Sequence, residues 1–73
     1  MANFAERFRK LRLERGLTQE GAANIIGVKR YSVYTYEKGL NYPEVRNLII
    51  FADHFGVSTD YLLGRTDNPE INR

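Results

Sequence analysis

The sequence predicts an all-α domain built from five short helices. Three observations carry that prediction. Apolar residues recur at helical spacing, and no stretch alternates apolar and polar residues at strand length. Glycines at 16, 27, 39, 56 and 64 each close an apolar run, where a residue without a Cβ commonly ends a helix. Asn3, Thr18 and Ser58 each open a run with a side chain that can accept a free amide of a first helical turn.

Asn3 and Glu6 have the spacing of a capping box. Phe4, Phe8 and Leu11 follow on one face, with Arg7, Arg9, Lys10, Arg12 and Arg15 spread over the rest, and Gly16 stops the helix. Thr18 caps a second helix that runs through Ile26, in which Ala22 and Ala23 permit close helix packing and Gly21 costs up to ~1 kcal/mol relative to alanine. Gly27 reverses the chain and Val28 plugs the core. A third helix runs from about Lys29 or Arg30 to Lys38, with Val33 and Tyr36 inward. Pro43 suits a first helical position or the residue just outside it. Val45, Leu48, Ile49, Ala52 and Phe55 give the fourth helix a broad apolar face. Ser58 caps a short fifth helix, with Val57 and Leu62 closing the core. Residues 1–64 are thus expected to form the domain, and the polar stretch 65–73 a flexible C-terminal tail or linker start.

Composition narrows the function. A 73-residue chain is one domain, and it buries only roughly 60% of its unfolded surface. No cysteine is present, so no disulfide, zinc-thiolate site or thiol nucleophile is available. His54 stands alone without clustered carboxylates, so the expectation is no metal, no cofactor and no enzymatic activity. No apolar run approaches the ~18 residues of a membrane span and no signal-peptide pattern opens the chain; a cytoplasmic location is the default. Charge is uneven. Nine Lys or Arg face five acids up to Arg46, and two face four beyond it. The N-terminal two-thirds therefore suits an anionic partner.

The stretch Thr18-Gln19, Ala23, Gly27-Val28, Val33 and Tyr36-Glu37-x-Gly39 follows a basic helix with Phe8, Leu11 and Arg12. It precedes Pro43, Leu48, Ala52-Asp53, Phe55-Gly56-Val57-Ser58 and Leu62-Leu63-Gly64. This ordered set resembles the helix-turn-helix domain of phage repressors of the lambda and Cro type, the XRE family, over nearly the whole chain. Departures are Lys29 where a capping Ser or Thr is usual, Ala22 where a leucine is usual, Gly21 in the second helix, and apolar Leu13, Ile25 and Ile50 at positions that tend to be polar.

The resemblance implies a sequence-specific double-stranded DNA binder, a transcriptional repressor of a bacterium or phage. It places the third helix in the major groove with its first residues against base edges. The residues expected there are Lys29, Arg30, Tyr31, Tyr34 and Thr35. Arg30 can bond bidentately to guanine O6 and N7, and the tyrosines and Thr35 can join a hydroxyl bond to contact with a thymine methyl. Phosphate contacts are expected from Thr18, Gln19, Ser32, Lys38, Asn41 and Tyr42. The resemblance further implies a structural salt bridge between Arg12 and Glu37. It also implies a homodimer on a pseudo-palindromic operator; Ile50, Tyr61 and Leu63 are one candidate surface and Leu13 with Ile25 a second. Many family members carry a separate C-terminal domain for dimerisation, so the chain is either a minimal regulator or the DNA-binding part of a longer one. A protein-interaction module of antitoxin or antirepressor type is the alternative.

Overall fold

The computed structural model describes residues 3–71 and contains five α-helices: α1 (Phe4–Glu14), α2 (Gln19–Ile26), α3 (Arg30–Glu37), α4 (Val45–Phe55) and α5 (Thr59–Leu62). Local chemistry sets their ends. Asn3 Oδ1 accepts the Glu6 amide at 3.0 Å, Thr18 Oγ1 the Gly21 amide at 2.9 Å, and Ser58 Oγ the Tyr61 amide at 3.0 Å. Each bond satisfies one of the amides that a helix start leaves free. Gly21 has a reason to be glycine: a Cβ there would lie 3.3 Å from Thr18 Oγ1, crowding the cap it serves. Gly27 adopts a left-handed conformation at φ 71°, which lets the chain turn from α2 into α3 while the Val28 amide still reaches the Ala23 carbonyl.

The core is an aromatic cluster. Phe8 lies at its centre, 4.8 Å edge-on to Phe51 and 5.8 Å from Phe55, with Phe4 and Tyr36 at 5.6 and 6.1 Å. Edge-to-face geometry of this kind adds to the burial of the rings themselves. Ala22 and Ala23 are fully buried, and their small size lets α2 sit close to its neighbours.

Three sequence expectations change. On α4, Phe51 is wholly buried beside Leu48, Ala52 and Phe55, whereas Val45 is 73% exposed and Ile49 also faces outward. The helix carries more apolar residues than one face can hold, and the phenyl ring, with the most surface to hide, takes the inward position. Arg7, expected on the surface, is only 5% exposed. Its guanidinium stacks 3.8 Å from the Tyr61 ring centre and donates to the carbonyls of Tyr61 and Thr66 at 2.8 and 3.2 Å and to Asp67 Oδ1 at 3.3 Å. The segment after Gly64 is therefore held against α1 and α5, not free; the Ser58 amide also bonds the Pro69 carbonyl at 2.9 Å. Residues 72 and 73 of the expected tail lie outside the described residues. Tyr61 and Leu63, expected at a self-association surface, are half-buried against the core. Among the described residues, no helix is long and apolar enough to cross a membrane.

Candidate nucleic-acid interface

Helix α3 is anchored on one side and open on the other. Val33 and Tyr36 are buried, and the Glu37 side chain is buried beside α1. At ~100° of rotation per residue, Arg30, Tyr34, Lys38 and Tyr31 fall in that order on the opposite arc, and all four are exposed. Tyr31 is 67% exposed, its ring stacked on Tyr34 with centroids 5.9 Å apart, and Lys38 Nζ sits 5.7 Å from the Tyr34 ring centre. The face is thus basic at both ends and aromatic between.

Thr35 is the exception among the residues expected to read bases. It is 8% exposed, and its hydroxyl donates to the Ser32 carbonyl at 2.6 Å. Burial commits its hydroxyl to its own helix. Lys29 is exposed at the N-cap position and makes no capping bond through its side chain, as its departure from a Ser or Thr implies. Ser32 is half-buried, and Thr18, Asn41 and Tyr42 are exposed near the two ends of the motif. Tyr42 packs 5.3 Å from Phe4 while leaving most of its ring in solvent.

Behind α3 lies a charge network. Arg12 Nε and Nη2 donate to Glu37 Oε2 and Oε1 at 2.5 and 3.0 Å, and Arg12 Nη1 caps the Leu17 carbonyl at 2.8 Å. The two side chains are 9% and 4% exposed, so the expected salt bridge exists and is bidentate and buried. The hydrogen bonds from Arg12 to Glu37 raise the guanidinium pKa, burial opposes this, and the Glu37 charge adds to the rise. Gln19 joins the network: Nε2 donates to Glu37 Oε1 at 3.3 Å, and Oε1 accepts from Arg30 Nη1 at 3.4 Å. Arg9 Nε stands 4.0 Å from the same carboxylate. An open cleft of about 1080 Å³ between α1 and α3 runs past these groups, with Lys10, Arg30 and Lys38 on its walls. The role of Gln19 as a link was not readable from spacing, since Glu37 is remote from it in sequence.

The helix-turn-helix family model matches residues 8–62. The chain belongs to the helix-turn-helix family. An uncharacterized HTH-type transcriptional regulator of Bacillus subtilis (strain 168), YobD, is 39% identical over 67 residues, covering 92% of this chain and 60% of its own length. The cryptic phage CTXphi transcriptional repressor RstR of Vibrio cholerae is 41% identical over 54 residues, covering 74% of this chain and 49% of its own. The chain spans about three-fifths of the length of the first curated relatives it matches. A crystal structure of a transcriptional regulator from Listeria innocua superposes with a TM-score of 0.82 at 34% identity, over 85% of this chain and 58% of that one. The P22 c2 repressor, crystallised with a synthetic operator, superposes with a TM-score of 0.80 at 25% identity, over 86% and 96% of the two chains. The all-α, five-helix fold is that of phage-repressor DNA-binding domains.

Proposed function

We propose that this helix-turn-helix chain binds double-stranded DNA sequence-specifically and acts as a transcriptional repressor of a bacterium or phage, as a homodimer on a pseudo-palindromic operator. The observation that carries the reading is the open arc of α3, where Arg30, Tyr31, Tyr34 and Lys38 stand exposed on a helix locked from behind by Val33, Tyr36 and Glu37. A rigid helix with a bidentate donor and flat apolar rings suits the major groove, where each base pair shows a distinct pattern of donors, acceptors and methyl groups. That the structurally similar P22 c2 repressor was crystallised with a synthetic operator supports binding to double-stranded DNA.

In this reading Arg30 reads a guanine, with Lys29 beside it, and Tyr31 and Tyr34 meet thymine methyls. Thr35 is left out because its side chain is buried. Phosphates are held by the exposed Thr18, Lys38, Asn41 and Tyr42, by Ser32, and by Gln19. Gln19 uses one amide hydrogen on Glu37 and keeps the other for a phosphate. Selection of bound duplexes from a random pool tests the reading directly. A two-fold motif is expected, and Arg30→Ala should relax preference at one position per half-site by roughly 1–3 kcal/mol. A pool that yields no enriched motif, or an Arg30→Ala protein with unchanged preference, overturns the docking. Affinity should also fall steeply with salt, as phosphate neutralisation requires.

A further inference from the structure

The outer side of α4 carries apolar residues that the fold does not cover. Val45 and Ile49, one turn apart, are 73% and 46% exposed, and Ile50 is half-buried beside them. The core occupies the opposite arc through Leu48, Phe51, Ala52 and Phe55. Val45 lies before Arg46 at the helix start, and Arg46 and Asp53 flank Ile49 and Ile50 on the same outer arc, one toward each end of the helix. Both are exposed, and among the described residues neither enters an ion pair.

The placement of these charges is unfavourable within the chain. Arg46 lies in the first turn of α4 and Asp53 in the last, so each sits at the end of the helix dipole that repels it. A helix normally carries the reverse arrangement. The face makes sense against a copy of itself. It is apolar in the middle, basic toward one end and acidic toward the other, which is self-complementary under a two-fold axis. With the axis beside Ile49 and Ile50, Ile49 of one copy meets the partner's Ile50. Arg46 then stands beside the partner's Asp53, and by symmetry the same pair forms again.

We infer that α4 pairs antiparallel with α4 of a second copy, and that Ile49, Ile50, Arg46 and Asp53 form the homodimer interface. The inference rests on the dimer of the proposed DNA-binding reading and names its surface. Leu13, the exposed apolar residue of α1, is a poorer centre. Arg9 and Lys10 precede it by one turn, and a second copy would bring like charges together. The α4 contact is small, which marks a weak interface; two adjacent half-sites would raise its effective concentration on DNA.

Charge exchange tests the pairing. Sedimentation equilibrium of the 73-residue chain, carried to about millimolar concentration, should show a monomer–dimer equilibrium at the weak end of measurable affinity. Arg46→Asp and Asp53→Arg each turn two attractions into repulsions, and each should weaken dimerisation about tenfold or more. The double variant R46D/D53R recreates both pairs with the signs exchanged and should return to within about threefold of wild type, a coupling that additive effects would not produce. Both exchanges favour the helix dipole, so loss of dimer cannot be laid to unfolding, and circular dichroism checks this. A wild-type protein that stays monomeric, single variants that dimerise as wild type, or a double variant that fails to recover each overturns the inference. Random-sequence duplexes separate it from the DNA reading. A charge-sensitive dimer that binds no duplex supports the α4 interface while overturning DNA binding, and a DNA-binding monomer does the opposite.

Discussion

Arg30 and Gln19 are joined across the helix-turn-helix: Arg30 Nη1 donates to Gln19 Oε1 at 3.4 Å, while the other end of the Gln19 amide donates to the buried Glu37 carboxylate at 3.3 Å. The exposed guanidinium on α3 is therefore aimed by a side chain that is itself held from the core. A long Arg side chain loses rotamer freedom when it binds, and holding it beforehand lowers that cost.

Gln19→Ala should consequently act in two ways. It removes the phosphate contact proposed for Gln19, which should weaken binding about equally on every sequence. It also frees Arg30, which should blur preference at the same base that Arg30→Ala affects. A double-mutant cycle on operator affinity should show the two changes to be non-additive by about 0.5 kcal/mol or more. Strict additivity would mean that the bond between the two side chains does not guide Arg30 on DNA.

Glu37→Ala should be among the most damaging single changes to stability. It leaves the Arg12 guanidinium buried without its carboxylate and removes the acceptor of Gln19. The expected loss is ~3–5 kcal/mol in denaturant unfolding. Replacing both charges by apolar residues of similar size should cost less than the single change, because no charge is then stranded.

Phe51→Ala and Val45→Ala separate the two sides of α4. The first empties a fully buried ring site in contact with Phe8, and should cost ~3–5 kcal/mol. The second alters a side chain that is mostly in solvent and should change stability by no more than ~0.5 kcal/mol. Thermal unfolding at low protein concentration distinguishes them. Equal effects would mean that the helix is rotated from the orientation described.

Alkaline pH should weaken the fold through Tyr36. Burial first and the Glu44 charge second push its phenol pKa above the usual value. A folded-state pKa above the unfolded one means that the native state holds the proton more tightly, so the contribution is complete below about pH 10 and is lost as pH rises through the folded value. Tyr36→Phe has no proton to lose, and its stability should fall less steeply above about pH 10 than that of wild type. Parallel alkaline limbs for the two proteins would show that Tyr36 does not carry the effect.

Much of the fold was legible because helix ends are local events. Asn3, Thr18 and Ser58 cap helices through bonds to amides three residues on, and Gly27 turns the chain by its own backbone. The pairing of Arg12 with Glu37 came through resemblance, not spacing, since the two lie on different helices. Thr35 could not have been set aside from helical rotation alone: at ~100° per residue it falls ~40° past Tyr31 and nearly opposite Val33, so its burial was decided by the tertiary structure.

The sequence by itself determined that the chain makes five helices, where they start and stop, and that the third presents basic and aromatic side chains. Only the tertiary structure decided which side of α4 is buried, that Arg7 turns inward to hold the segment after α5, and that Gln19 couples Arg30 to Glu37. The reason is one of range. Caps and turns are settled by groups within a few residues of one another. The rotation of a helix with excess apolar residues, and the partners of a long charged side chain, depend on surfaces brought together only when the chain has closed around Phe8.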